Sequence, residues 1–104
     1  MSFSEFWSDL QTRLKPGDSI RNWTVKKGFL GDEFRIRAVS ETFVKVDAPN
    51  AENFQHVPKK DFEVMYDNWE AYNSEQLTRG GLVQMTRFSK YTMSIIKHFK
   101  ESQI

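Results

Sequence analysis

Apolar residues near the start of the chain recur every three or four positions, which is the spacing of one face of an α-helix. They are Phe3, Phe6, Trp7, Leu10 and Leu14. This spacing predicts an amphipathic helix over residues 4–15. Ser2 or Ser4 is suited to cap its first turn, because a serine hydroxyl accepts a hydrogen bond from an orphan backbone N–H. The Pro16-Gly17 pair then ends the helix.

Between residues 20 and 57 the apolar residues alternate with polar ones, which is typical of strands with one buried face. The alternation predicts strands over residues 20–27, 34–38, 43–48 and 54–57. The two glycines of residues 28–31 predict a bend, Ser40-Glu41 predicts a tight hairpin connection, and residues 50–53 predict a loop. Strands joined so closely along the chain predict an antiparallel sheet with one face on the core.

The C-terminal half of the chain returns to helical spacing. Residues 61–73 carry an apolar face made of Phe62, Met65, Tyr66, Trp69 and Tyr72. The acids of this segment, including Asp61 and Asp67, are expected on its solvated face. Two shorter helices are predicted near residues 78–86 and 89–101, with a turn around Arg87-Phe88.

These elements and the size of the chain define an expected fold class. A chain of 104 residues fits one domain, residues 1–104, with a single core. Nine Phe, three Trp and three Tyr make the expected core rich in aromatic rings, which bury a large area per residue. The predicted class is α+β, with an N-terminal helix, an antiparallel sheet of three or four strands, and two or three C-terminal helices on one sheet face.

The composition excludes several kinds of site. Without cysteine the chain forms no disulfides and no thiolate metal sites. His56 and His98 each lack a second histidine at ligand spacing, and the chain has no nucleophile motif and no Gly-rich phosphate loop. We therefore expect no metal, no cofactor and no enzymatic activity.

The chain also lacks the signals of membrane insertion or export. No apolar run reaches the roughly 20 residues of a membrane span, and the start of the chain is acidic, unlike a signal peptide. We expect a cytoplasmic protein of bacterial type with no membrane partner.

Charge is distributed unevenly along the chain. Residues 1–76 hold ten Lys or Arg and thirteen Asp or Glu, whereas residues 77–104 hold five Lys or Arg and only one acid, Glu101. The net charge of +1 therefore hides a segment of −3 followed by a segment of +4. A basic end of this kind indicates an anionic partner, or else a face that balances the acidic helix upstream.

The basic segment contains the stretch 77–99, which reads LTRGGLVQMTRFSKYTMSIIKHF. Its cap and packing positions are Thr78, Leu82, Val83, Phe88, Ser89, Met93 and Ile96. At these positions the stretch resembles the helix-turn-helix of bacterial regulators of the winged-helix type. The resemblance makes Thr78 the cap of a first helix, Phe88 the apolar residue of the turn, and Ser89 the cap of a recognition helix.

The resemblance implies a small DNA-binding or regulatory protein whose partner is duplex DNA. A recognition helix enters the major groove with its N-terminal residues toward the base edges, while the first helix crosses the backbone. On this pattern Lys90, Tyr91 and Ser94 face the bases. The residues expected to face the phosphates are Arg79, Arg87 and Lys97.

Two other interpretations of these residues remain open. Phe88, Tyr91, Ile95 and Phe99 form an apolar stripe, so the last helix is equally suited to lie across the sheet as a structural cap. On the sheet itself, strand alternation brings Arg35, Arg37 and Lys45 to the same face as Phe43, with Asp47 beside them. Basic residues interleaved with an aromatic ring are typical of surfaces that bind single-stranded nucleic acid.

The alternative to nucleic-acid binding is a homo-oligomeric interaction module, or a module that binds a small ligand of a class the sequence does not identify. A chain this short with Trp7, Trp23 and Trp69 is expected to leave some aromatic area exposed, and exposed aromatic rings tend to mark contact surfaces. We therefore expect a homo-oligomer, in the simplest case a homodimer formed through sheet edges or through the acidic and basic helices.

Overall fold

The computed structural model describes residues 2–49 and 52–101, and the side chains of all of these except Glu101. In chain order its elements are α1 (Phe3–Arg13), β1 (Ser19–Thr24), β2 (Gly28–Val39), β3 (Phe43–Asp47), β4 (Gln55–Pro58), α2 (Lys59–Asp67), α3 (Trp69–Asn73), α4 (Arg79–Met85) and α5 (Ser89–Glu101). The predicted α+β class is confirmed. Of the loop predicted at residues 50–53, residues 50 and 51 lie outside the described part.

The four strands form one antiparallel sheet in the order β1-β2-β3-β4, so each strand pairs with its neighbour along the chain. The buried cross-strand pairs are Ile20–Phe34, Ile36–Val46 and Val44–Val57. Because side chains alternate along a strand, the residues between these pairs project from the opposite side of the sheet. The inner face of the sheet therefore carries the core and the outer face is polar.

The helices supply the other half of the core. Helix α5 packs against β1 and α2, and α2 in turn contacts β4 and α1. The rings of Trp7 and Phe62 lie 5.3 Å apart between α1 and α2, and the Trp7 indole N–H donates to the carbonyl of Glu41 at 3.0 Å. Trp7 is thus fixed at both its apolar body and its polar tip, as a buried tryptophan requires.

Helix α1 is capped by the first of the two candidate serines. The Ser2 hydroxyl accepts from the backbone N–H of Glu5 at 3.2 Å, and the Glu5 carboxylate accepts from the backbone N–H of Ser2 at 3.3 Å. These two bonds form a capping box, which satisfies two orphan donors at once. They also lower the pKa of the Glu5 carboxyl, because the Ser2 backbone and hydroxyl groups stabilise its charged form.

The bend predicted at residues 28–31 is wrong. These residues open strand β2, and the turn lies at residues 25–27. The Thr24 hydroxyl accepts from the backbone N–H of Lys27 at 3.1 Å and closes the turn. Gly28 then has φ +70°, a left-handed conformation that costs glycine little, so it serves the turn from the first position of the strand.

The single helix predicted over residues 61–73 is also wrong, because it is broken at Asn68 into α2 and α3. Asn68 has φ −104° and ψ 10°, and its side-chain amide donates to the carbonyl of Val64 at 2.8 Å. An asparagine that bonds to a nearby carbonyl competes with continued helix. Trp69 follows the break as the first residue of α3, and its ring stacks on that of Trp23 with the ring centres 5.6 Å apart.

The sequence predicts that Asp61 lies on the solvated face of α2, and this prediction is wrong. Asp61 is only 8% exposed, and it accepts a hydrogen bond from the Thr86 hydroxyl. The same hydroxyl oxygen accepts from the backbone N–H of Phe88 at 3.2 Å. Thr86 therefore links α2 to the turn between α4 and α5.

Within the described residues, no helix is both long enough and apolar enough to cross a membrane.

We predict that Thr86→Val lowers the free energy of unfolding by about 1–3 kcal/mol, because it leaves the buried Asp61 carboxylate without its donor. Urea denaturation followed by far-ultraviolet circular dichroism measures this change. Thr12→Val is the matched control, since Thr12 is exposed on α1 and the same substitution there is expected to change stability by less than about 0.5 kcal/mol. Equal effects of the two substitutions would contradict the role of Thr86.

Candidate functional site

The two C-terminal helices lie close to their predicted positions. Helix α4 spans Arg79–Met85, and the Thr78 hydroxyl caps it by accepting from the N–H of Gly81 at 3.1 Å. Helix α5 begins at Ser89, and the N–H of Thr92 bonds to the carbonyl of Phe88 at 3.1 Å. Phe88 therefore holds the cap position that the sequence pattern gives to Ser89, and Ser89 itself is buried.

Helix α5 is the most deeply buried of the described helices. Every residue from Thr92 to Ile96 is buried, so the helix is enclosed by its neighbours around most of its circumference. A recognition helix needs a broad exposed face in order to enter a major groove. The packing is that of the structural alternative, in which the last helix lies across the sheet.

Of the three residues expected to face bases, Ser94 is buried and Tyr91 is half-buried. Ser94 is 1% exposed; its hydroxyl accepts from the backbone N–H of Trp23 at 3.0 Å and donates to the carbonyl of Lys90 at 3.0 Å. Tyr91 is half-buried, with its ring edge-on to Phe34 at 5.1 Å, and burial raises the pKa of its hydroxyl. This placement corrects the expectation for Ser94, which has no surface to offer to a base.

The four cations of the predicted site differ in their surroundings. Arg79, Arg87 and Lys90 are exposed, but Arg87 stacks on the ring of Phe88 at 5.2 Å while Arg79 and Lys90 line a cavity beside β1. Lys97 is half-buried, with its ammonium group 4.9 Å from the centre of the Trp23 ring. A DNA-binding role for Arg79, Arg87, Lys90 and Lys97 remains a prediction.

A different cluster of cations and rings lies on the uncovered side of the sheet. We call it the outer sheet face, defined as Arg35, Arg37, Phe43, Lys45, Phe54 and His56. Arg35, Arg37 and Lys45 alternate with the buried residues of β2 and β3. Lys45 pairs directly with His56 across β3 and β4, which places both side chains on the same side.

The rings of the outer sheet face are contacted by its cations. The Arg37 guanidinium lies 4.8 Å and the Lys45 ammonium 4.9 Å from the centre of the Phe54 ring. These are cation–π distances, which hold the ring and the charges in register on the surface. Phe54 remains 42% exposed, and the Phe43 and His56 rings lie 5.1 Å apart beside it.

The electrostatic balance of this face is basic. Asp47 lies opposite Arg35 between β2 and β3, and its carboxylate is 3.8 Å from the Arg37 guanidinium. Arg21 and Glu33 pair with each other on the same side of the sheet, so Arg21, Arg35, Arg37 and Lys45 are opposed there by two acids, Glu33 and Asp47. The Arg37–Asp47 pair bonds weakly because both partners are exposed. A polyanion reaching this face would meet net positive charge.

Strand alternation predicted part of this face and missed the rest. Arg35, Arg37, Lys45 and Phe43 follow from the alternation of β2 and β3. His56 belongs to β4, and Phe54 is the residue before this strand. The alternation there is too short to assign either side chain to a face of the sheet. The signal that identifies them is the position of strand β4 beside β3, which only the fold supplies.

Among the residues that the structure describes, no group of three or more His, Asp or Glu side chains comes together as a metal site. Comparisons of this chain with protein-family models, with curated proteins and with solved structures give no match. The fold therefore establishes only the structural class of the protein, which is a small α+β domain with helices on one face of a four-stranded antiparallel sheet. Function has to be argued from its surfaces.

We predict that Ser94→Ala lowers the free energy of unfolding by about 1–3 kcal/mol, because it leaves the buried N–H of Trp23 unsatisfied. Thermal or urea unfolding measures the loss. Ser8→Ala on α1 is the control: Ser8 is exposed, so this substitution is expected to leave stability nearly unchanged. A Ser94 side chain that served only to touch a base would give a variant as stable as the parent.

Proposed function

We propose that this protein binds nucleic acid, and that it does so through the outer sheet face, with single-stranded DNA or RNA as the preferred form. The observation that carries the proposal is the exposed Phe54 ring flanked by Arg37 and Lys45, on a sheet face that no described helix covers. Stacking on a ring beside cations is how sequence-tolerant single-strand binding is achieved.

The rings give the bases a place to stack. Phe54 and the Phe43–His56 pair offer ring surfaces at two neighbouring places on the face. Consecutive bases of an unpaired strand can stack on such rings, and each stacked base contributes about 1–3 kcal/mol. Four-stranded antiparallel sheets present rings to unpaired bases in this way because side chains stand nearly perpendicular to the sheet.

The cations give the phosphates a place to bind. Arg35 and Arg37 lie two residues apart on β2, and Lys45 follows on the neighbouring strand, so positive charge runs across the strands. Arginine is suited to this role because its planar guanidinium pairs with two phosphate oxygens. The expected binding is salt-dependent, because each neutralised phosphate releases counterions.

A single strand suits this surface better than a duplex does. In a duplex the bases are stacked on one another and their faces are not available to rings, whereas an unpaired strand can turn its bases outward. The helix expected to read a major groove, α5, is enclosed in the core instead. The competing hypothesis is duplex binding through the exposed Arg79, Arg87 and Lys90. The arginine variants described below distinguish it from single-strand binding.

We predict that Phe54→Ala weakens binding of a fluorescein-labelled dT oligonucleotide about tenfold to a hundredfold, because one stacked base is lost. Fluorescence anisotropy at low salt measures the dissociation constant. Phe29→Ala is the matched control, since Phe29 is 41% exposed, against 42% for Phe54, but lies near the other end of β2, roughly 20 Å from Arg35. An undiminished affinity of Phe54→Ala for the oligonucleotide would rule out the stacking site.

We further predict that the double variant Arg35→Gln/Arg37→Gln reduces the slope of log Kd against log salt by about 1.4, since two phosphate contacts to a single strand are lost. Arg87→Gln, which removes an exposed cation of the α4–α5 turn, is expected to leave that slope unchanged. The reverse pattern, with Arg87→Gln weakening binding to duplex DNA and the double variant silent, would favour the helix-turn-helix interpretation.

A further inference from the structure

Strands β1 and β2 lose their regular pairing at one point, and a cavity opens there. Arg21 pairs with Glu33 and Trp23 pairs with Phe29, so the register shifts between these two pairs. Asn22 alone on β1 therefore faces three residues of β2, Leu30, Gly31 and Asp32. An irregularity of this kind interrupts the ladder and redirects side chains, and it is frequent beside binding sites.

Two adjoining cavities lie beside this irregularity, and together we call them the cleft. The smaller has a volume of about 230 Å³ and is lined by polar residues, including Asn22, Asp32, Arg79 and Lys90. The larger has a volume of about 510 Å³ and shares Thr24, Leu30 and Arg79 with the smaller. Its volume lies within the range of about 300–1,000 Å³ that small-molecule sites occupy.

The larger cavity has an apolar wall. Val25 and Leu30 come from the β1–β2 hairpin, while Tyr72 and Leu77 come from α3 and the segment that follows it. The Tyr72 hydroxyl accepts a hydrogen bond from the backbone N–H of Val25 at 3.2 Å. This bond connects the β1–β2 hairpin to α3, so the two sides of the cavity are joined directly. An aromatic or apolar group of a ligand is matched by such a wall.

Asn22, which lines the smaller cavity, carries a buried polar atom that lacks a partner. Asn22 is 2% exposed, and its side-chain oxygen Oδ1 makes no hydrogen bond within the described part of the chain. Burying an acceptor in this way costs about 1–3 kcal/mol, so each case requires an explanation. Because χ2 of asparagine is a soft torsion, Oδ1 can turn toward the cavity and accept from a ligand hydroxyl or amine.

The charge of the cleft is positive. Arg79 and Lys90 flank the smaller cavity and Lys26 and Lys27 flank the larger one, while the acids are Asp32 and Glu75. Arg79 and Lys90 come from different helices, α4 and α5, and meet at the same cavity as Asn22. An arginine and a lysine in one cavity form a site for a phosphate group.

We propose that the cleft binds a nucleoside monophosphate. Its phosphate lies between Arg79 and Lys90, a ribose hydroxyl donates to Oδ1 of Asn22, and its base packs on the apolar wall of Leu30, Tyr72 and Leu77. The three features of the cleft match the three parts of this ligand class: an anion, a hydrogen-bond donor and a planar apolar body. This site is separate from the outer sheet face, and the proposal does not rest on nucleic-acid binding.

The test is a titration of the ¹⁵N-labelled full chain with adenosine monophosphate, compared with adenosine and with inorganic phosphate. The expected result is a set of shifts at the side-chain amide of Asn22 and at the backbone amides of Thr24, Leu30 and Arg79. Calorimetry is expected to give a dissociation constant below about 1 mM, which corresponds to the modest free energy of a small, partly open site. Adenosine and inorganic phosphate are each expected to bind at least about tenfold more weakly, since adenosine lacks the phosphate and inorganic phosphate lacks the ribose and the base.

Two sets of variants assign the contacts. Asn22→Leu is expected to weaken binding about tenfold while keeping the fold, because it replaces an unsatisfied buried group by an apolar one of similar size. Arg79→Gln/Lys90→Gln changes only exposed side chains, so it keeps the test decisive if Asn22→Leu does not fold. Arg35→Gln on the outer sheet face is the control, and it is expected to leave binding of adenosine monophosphate unchanged.

Three results would overturn the proposal. The first is the absence of shifts with adenosine monophosphate up to about 5 mM, a concentration that detects even very weak sites. The second is equal binding of inorganic phosphate, which would reduce the site to a general anion contact. The third is a set of shifts confined to the outer sheet face and lost in Arg35→Gln, which would assign the ligand to the nucleic-acid surface instead.

Discussion

The hydrogen bond from the backbone N–H of Trp23 to the Ser94 hydroxyl, at 3.0 Å, is the interaction on which the arrangement of this domain depends. Trp23 lies on the edge strand β1, where the backbone N–H groups of alternate residues point away from the neighbouring strand, and a buried N–H without a partner is strongly unfavourable. The Ser94 hydroxyl accepts this bond and donates its own hydrogen bond to the Lys90 carbonyl, so β1 and α5 are joined where both are buried. The register shift between β1 and β2 lies next to this bond, beside the cleft.

Fixing α5 in this way decides which surfaces can meet a partner. Tyr91 packs against Phe34 and Lys97 lies over Trp23, so residues that look free on a helical projection are used inside the domain. Two of the surfaces that stay open are the outer sheet face and the cleft, which share no residue and differ in character. The first is an open face with rings between cations, suited to a polymer, whereas the second is concave, with one buried acceptor, suited to a small molecule.

The sequence predicted the order and type of the elements well because apolar spacing records which face of each element is buried. It failed where side-chain hydrogen bonds decide the outcome, as at Asn68, which ends α2, and at Asp61, which turns inward to Thr86. The candidate surfaces follow the same division. Strand alternation places Arg35, Arg37 and Lys45 on one face, but Phe54 joins them only because β4 pairs with β3. The unsatisfied side-chain oxygen of Asn22 lies at a register shift between β1 and β2, which no local sequence pattern indicates.

The contacts around Phe54 also bear on the strength of the proposed binding at the outer sheet face. Because Arg37 and Lys45 both lie within 5 Å of the Phe54 ring centre, a base that stacked on the ring face they cover would displace a cation. The cation–π energy given up is about 0.5–1 kcal/mol at an exposed site, less than the roughly 1–3 kcal/mol that a stacked base contributes. A cation displaced in this way would stay beside the strand, where it would meet a phosphate. On the proposed function, stacking and phosphate pairing are therefore expected to be coupled, so that neither group acts independently of the other.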